Sequence, residues 1–299
     1  MKSLRGITFA LISSGTFGLI PLFSIPLMEQ GMEASSILFY RFLLSTIMMG
    51  MICLIRKESF KIPKQHIFTI VALSTLYAAT ALFLIYSYHY IPSGIATTIH
   101  FMYPIAVSII MVIFFKERRS IILLLAAFIS VIGVVFMCWT GGENVRFLGV
   151  IIAALTILTY SIYIVGINQT KAGRLPAEVL TFYILMFGAL IFLGYAFCTT
   201  GLTTIPNFTA LGRLALLAFL CTVVSDFTLV LAIKLVGSTT TSILGSMEPM
   251  VAVGVGVLYF SEPFSINSLI GIVLIIISVI MVVTQKQQKE ISENKFLGE

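Results

Sequence analysis

Four ionisable side chains stand inside otherwise apolar runs of this sequence: Arg41, His100, Asp226 and Glu248. A charge at bilayer depth costs about 2.5–3.5 kcal/mol on insertion scales, so such residues are kept for a partner or a task. The carboxyls of Asp226 and Glu248 could hold a substrate amine or carry a proton. The imidazole of His100 titrates near neutrality when unperturbed, and the Arg41 guanidinium matches the geometry of a carboxylate. Each also has a structural reading. Glu248 could pair with Arg41 or a helix end, and Asp226 could sit in a salt bridge or hydrogen bond. Arg41 could snorkel to the interface or pair with an acid, and His100 could be hydrogen-bonded inside a bundle.

Spacing groups these residues. Thr241, Gly245 and Glu248 recur at i, i+4 and i+7 and share one helix face, as do Ala96, His100 and Tyr103. Proline follows both stripes, as Pro104 and as Pro249. Proline removes a backbone hydrogen bond within a helix, which a membrane helix tolerates where neighbours or a cavity satisfy the freed carbonyl. Both are expected to kink helices beside a cavity and to act as hinges, and Pro21 with Pro26 to do the same nearer the N-terminus. Gly15-Thr16-Phe17-Gly18 would let that helix approach a neighbour closely. Tyr77, Tyr86, Tyr160 and Tyr163 could line a pathway, core or lipid contact being an equal alternative for each.

The elements that position these groups are membrane helices. The 299 residues are 59% hydrophobic and 10% charged, against about 25% charged in soluble domains. Ten segments have the roughly 20 apolar residues that a span requires: 6–28, 34–55, 66–90, 95–115, 121–139, 147–168, 179–200, 209–235, 240–260 and 266–284. Turn and charge signals separate them, including Arg56-Lys57-Glu58, Pro92-Ser93-Gly94, Gly141-Gly142-Glu143 and Ser261-Glu262-Pro263. The first segment is too long and proline-containing for a signal peptide and reads as an uncleaved span.

With the N-terminus inside and ten spans, fifteen lysines and arginines fall in inner segments and only Arg146 and Arg213 in outer ones. That distribution follows the positive-inside rule, puts both termini in the cytoplasm and accounts for the net charge of +6 without a nucleic-acid partner. The expected location is the inner (plasma) membrane. The tail from Gln285 to Glu299 is polar and expected to be unstructured. Cys53, Cys138, Cys198 and Cys221 lie far apart with no metal spacing and read as structural. Asn168-Gln169-Thr170 and Asn207-Phe208-Thr209 match the glycosylation pattern, the first on the inner side. No phosphate loop, nucleophile elbow or zinc motif occurs, so no cofactor, metal or catalytic residue is expected and the chain does not read as an enzyme.

The sequence repeats itself. A shift of 145 brings Ser93 onto Ser238, Met102 onto Met247, Pro104 onto Pro249, Phe115 onto Phe260 and Glu117 onto Glu262. A shift of 143 brings Gly6 and Ala10 onto Gly149 and Ala153, and Phe39-Tyr40 onto Phe182-Tyr183. Residues 1–145 and 146–284 are therefore expected to form two five-helix halves, with 285–299 as a cytoplasmic tail. Five spans per half is odd, so the halves insert in opposite orientations, an arrangement characteristic of secondary transporters. The fold class is an all-α integral membrane protein.

The two copies Ser93-Gly94-Ile95-Ala96 … Tyr103-Pro104 … Phe115-Lys116-Glu117 and Ser238-Thr239-Thr240-Thr241 … Glu248-Pro249 … Phe260-Ser261-Glu262 resemble the EamA-like family of the drug/metabolite transporter superfamily. The resemblance covers both halves. It implies a ten-helix bundle with a cavity lined by helices 1, 3, 4, 6, 8 and 9, with 5 and 10 peripheral. It further implies a small organic substrate, of the amino-acid, drug or metabolite kind, moved outward. Segments 121–139 and 266–284, which hold no charge, suit lipid or a partner helix, including one from another copy in a homo-oligomer. The expected function is secondary transport by alternating access, with proton coupling through Glu248 or Asp226. The rivals are an intramembrane enzyme or lipid-handling protein using Glu248, Asp226 and His100, and a non-transporting scaffold.

Overall fold

The computed structural model describes residues 2–87, 90–91, 96, 99–117, 120–137, 146–199, 201–259 and 265–297, for 2, 137, 283 and 286–297 the backbone alone. All regular structure among them is helical. The first half holds α1 (Lys2–Phe17), α2 (Ile20–Glu29), α3 (Ala34–Ile55), α4 (Lys64–Ser87), α5 (Tyr103–Phe115) and α6 (Ile121–Met137). The second holds α7 (Phe147–Gln169), α8 (Ala177–Cys198), α9 (Phe208–Ala218), a π-helical stretch Phe219–Val224, α10 (Ser225–Val236), α11 (Ser238–Leu244), α12 (Met247–Tyr259) and α13 (Ile266–Leu297). Local chemistry sets several of these boundaries. The Asn207 side chain accepts from Ala210 N at 2.8 Å and caps α9, and Gly237, at φ +85°, ends α10 where a side chain would be strained.

Seven helical stretches among the described residues are long and apolar enough to cross a membrane. They are Ser3–Glu29, Ala34–Ile55, Lys64–Ser87, Phe147–Gln169, Ala177–Cys198, Phe208–Val236 and Ser238–Tyr259. Tyr103–Phe115, Ile121–Phe136 and Ile266–Val282 are apolar but shorter. The breaks predicted at 92–94, 141–143 and 261–263, with Cys138, Ser93, Phe260 and Glu262, lie outside the described residues. One expectation is corrected at the C-terminus. The backbone of α13 stays helical to Leu297, because each further turn of an existing helix adds a hydrogen bond without a new nucleation cost.

The helices associate in antiparallel pairs, each joining one half to the other. Phe42 packs on Gly188, Gly50 on Phe182, and Arg56 bonds Glu178 at 2.5 Å, which aligns α3 against α8. Leu73 meets Gly166, and Thr80 Oγ1 lies 2.7 Å from Thr159 Oγ1, which aligns α4 against α7. Ser225 Oγ donates to Ser13 O at 2.9 Å between α10 and α1. Ser278 Oγ donates to Ala126 O at 2.8 Å, and Gly133 faces Gly271, so α13 and α6 cover one another. Small residues at such contacts let backbones come close, and dispersion then replaces a hydrophobic drive that lipid does not supply.

Two contacts show the internal symmetry at atomic detail. A Cβ built on Gly6 would stand 2.5 Å from Val236 Cγ1 and 2.9 Å from Leu235 Cβ. One built on Gly149 would stand 2.7 Å from Ile91 Cγ2 and from Tyr90 Cβ. Gly149 is the repeat mate of Gly6, and Tyr90-Ile91 are the repeat mates of Leu235-Val236, so the same junction is made twice.

Candidate functional site

The proline-bearing segments are broken, not kinked. α1 ends before Gly18-Leu19, Phe101-Met102 precede α5, and Gly245-Ser246 part α11 from α12. The same short turn recurs at each break: Leu22 N donates to Leu19 O at 3.1 Å, Ile105 N to Met102 O at 3.1 Å, and Glu248 N to Gly245 O at 3.0 Å. Pro21 and Pro104 are the second residues of α2 and α5, and Pro249 is the third of α12. At Pro21, Pro104 and Pro249 the expected mid-helix kinks are thus corrected to fresh helix starts, whereas Pro26 lies inside α2. In a first turn the backbone N–H has no intrahelical partner, so a residue lacking one fits without loss.

The three breaks converge. A Cβ on Gly18 would lie 2.5 Å from the Glu248 carbonyl oxygen, so the first break crosses directly over the start of α12. A Cβ on Gly245 would fall onto the Tyr103 hydroxyl. Gly245 therefore has a stated use, as the slot that admits a tyrosine from the opposite half. Thr241, predicted on the same face, is buried and its hydroxyl donates to Gly237 O at 2.8 Å, within its own helix.

Asp226 is 1% exposed and opens α10 directly after the π-helical stretch. The Tyr77 hydroxyl donates to it, 2.9 Å from Oδ1 and 3.2 Å from Oδ2. A π turn widens the helix by a residue and turns carbonyls away from the ladder. Side chains of α3 take two of them. Arg41 Nη2 donates to Cys221 O at 2.9 Å, and Ser45 Oγ shares its hydrogen between Ala218 O at 3.0 Å and Arg41 O at 2.7 Å. Arg41 Nε adds a 2.5 Å bond to Thr222 Oγ1. Arg41 is 7% exposed, so it does not snorkel, and no ion pair ties it to an acid among the described residues. Its charge nevertheless acts on both Asp226 and Glu248.

Glu248 lies in the first turn of α12, the end of a helix that favours an anion. Its side chain is half-buried, and among the described residues none donates a hydrogen bond to it. Its charge acts on the hydroxyls of Tyr103 and Tyr160.

Aromatic rings fill the space between the two acids. Tyr77 stacks on Tyr163 with centroids 4.9 Å apart, Tyr163 on Tyr160 at 5.9 Å, and Tyr160 meets Tyr103 edge-on at 4.8 Å. His100 flanks the last two at 5.3 and 5.4 Å. Its Nδ1 lies 3.0 Å from Thr156 Oγ1, whose own hydrogen is committed to Ala153 O. Nδ1–H is therefore the donor. The Tyr163 hydroxyl is fully buried and has no hydrogen-bond partner among the described residues.

The structure thus gathers Arg41, His100, Tyr103, Asp226, Gly245 and Glu248 with Tyr77, Tyr160 and Tyr163. Tyr86 stands apart, exposed and bonded to Tyr195. Ser45 was not among the residues singled out from the sequence. Tyr77 could have been raised above the other tyrosines by one signal, since it is the repeat mate of Thr222. A surface depression of about 530 Å³ lined by Leu4, Arg5, Thr8, Phe9 and Leu235 is a separate feature, sharing no residue with this cluster.

The sequence model of the EamA-like transporter family matches twice, over residues 4–139 and 147–284. No curated protein matches the sequence. A solved crystal structure shares the fold, with a TM-score of 0.81 over 97% of this chain and 98% of the other at 15% identity. The chain is an all-helical membrane protein of two repeats and belongs to the EamA-like transporter family.

Proposed function

We propose that this protein is a secondary transporter that exports a small organic solute across the inner (plasma) membrane by alternating access. It has ten spans in two inverted halves (residues 1–145 and 146–284) and both termini in the cytoplasm. The observation that carries the reading is the convergence of three helix breaks, from both halves, on a carboxyl group to which none of the described residues donates. Transporters place substrate sites where discontinuous helices of opposed repeats meet. A charge left without a donor at such a point is available to cargo or to a proton. The hinge prolines Pro21, Pro104 and Pro249 begin the helices that would move.

The pattern of hydrogen bonds supports this over an intramembrane acid–base enzyme. Such an enzyme needs its acid and base within hydrogen-bond reach of one centre. Among the described residues Asp226 bonds to Tyr77 and His100 to Thr156, and no bond joins these two to one another or to Glu248. Proton coupling is assigned to Glu248, with Asp226 as the second titrating site. Proteoliposomes holding the full chain test it. Solute flux should rise with an imposed pH gradient and carry protons with it, and Glu248→Gln should uncouple the two. Equal flux with and without the gradient, and no proton movement, would reduce the protein to a facilitator.

A further inference from the structure

From the cluster between the halves we infer the chemical class of the cargo: a small monovalent organic cation with an apolar or aromatic body. This rests on the transport reading above and deepens it.

Charge balance comes first. The Arg41 guanidinium acts on both Asp226 and Glu248, so two carboxyls share one fixed cation. Arg41 is not presented to a ligand, because its Nε and Nη2 are held by Thr222 and by the Cys221 carbonyl in the π stretch. Asp226 is likewise engaged, by the Tyr77 hydroxyl. Glu248 is the group left over, half-buried and without a donor among the described residues. Among the described residues a cargo carboxylate would meet only a buried guanidinium already bonded through two of its nitrogens, whereas an ammonium would meet a carboxyl with no donor.

The side chains around the acids point the same way. Tyr103, Tyr160, Tyr163 and Tyr77 form an unbroken run of rings at 4.8, 5.9 and 4.9 Å, and Glu248 acts on the Tyr103 and Tyr160 hydroxyls. Rings bordering a carboxylate are the setting in which organic cations are recognised, through the negative faces of the π systems. His100 is turned away from this role by its Nδ1–H bond to Thr156. An independent mark of a missing partner is the Tyr163 hydroxyl. It is fully buried and unsatisfied among the described residues, and a buried polar group left so is normally paired with something. An ammonium N–H or a polar substituent of the cargo would supply that partner.

The test uses the full chain in nanodiscs, titrated with three benzyl compounds that differ in charge: benzyltrimethylammonium, its neutral isostere neopentylbenzene, and the anion phenylacetate. The cation should bind roughly tenfold tighter than either. Glu248→Gln should lower its affinity by at least about tenfold, and Tyr160→Leu should weaken it while Tyr160→Phe does not. The tyrosine pair keeps the test decisive if Glu248→Gln yields no monodisperse protein. Equal binding of the neutral isostere, no binding of the cation, or cation binding unmoved by both Glu248→Gln and Tyr160→Leu overturns the inference. The same molecules in proteoliposomes separate the two claims. Cation binding without uptake sinks the transport reading alone, and uptake of phenylacetate without cation binding sinks the cation inference alone.

Discussion

Segments four and nine are built to one plan and end with different chemistry. Both break before a proline, both restart with the same i to i+3 turn, and both send their restart toward the opposite half. At the matched position one carries Tyr103 and the other Glu248. One turn earlier, one carries His100 and the other Gly245. Segments three and eight repeat the contrast, with Tyr77 opposite Thr222 in register and Ala81 opposite Asp226. In these segments the first half supplies rings and the second supplies acids. Symmetry makes the joint, and departure from symmetry makes the site. The departures are also complementary in shape, because glycine at 245 makes room for tyrosine at 103.

That contrast can be broken by substitution. The largest effect is expected from exchanging the charge itself. Glu248→Gln should cut gradient-driven flux by about a hundredfold or more, roughly 2.7 kcal/mol, while Tyr103→Phe at the mate position should stay within a few-fold. Comparable losses at both sites, measured in proteoliposomes, would erase the division of labour.

Next is the grip on the π-helical stretch. Arg41→Met removes two buried charge-assisted hydrogen bonds and should destabilise the fold by about 2–4 kcal/mol. A melting curve in detergent reads this, and no change in Tm would mean that the π turn holds without its clamp.

Gly245→Ala should cost about 1–3 kcal/mol by overpacking, and Tyr103→Phe in the same chain should return part of it, because the hydroxyl is the atom struck. Strict additivity in that double-mutant cycle would show that the two positions are not in contact. The smallest effect is expected at the rim. Arg56–Glu178 joins the same two helices that pack through Phe42 and Gly188, but Arg56 is 56% exposed. Arg56→Ala should change stability by no more than about 1 kcal/mol.

Much of this fold was legible in the sequence because membrane helices announce themselves by length and because two shifts of similar size align the halves. The asymmetry of Glu248 against Tyr103 was legible for the same reason. Other features were not, each for a physical cause. Lipid and core are equally apolar, so the sequence of α4 or α7 does not say which face is buried. Tyr77 and Tyr86 read alike until one is found on Asp226 and the other at an exposed end. The π stretch depends on Arg41 and Ser45, some 170–180 residues away, taking its carbonyls. No local signal in Phe219–Val224 announces that. Proline was visible in each segment, but whether it bends a helix or starts one depends on the turn before it.

The paired glycines offer a practical handle. Gly6 and Gly149 are each sealed against a two-residue step of the other half, and the proposed inverted arrangement would set them at opposite faces of the membrane. A single methyl group at one of them would wedge apart one mouth of the bundle and leave the other intact. Two one-carbon changes could therefore arrest the protein at two different stages of its cycle, and such trapped forms can be prepared and compared before any cargo has been identified.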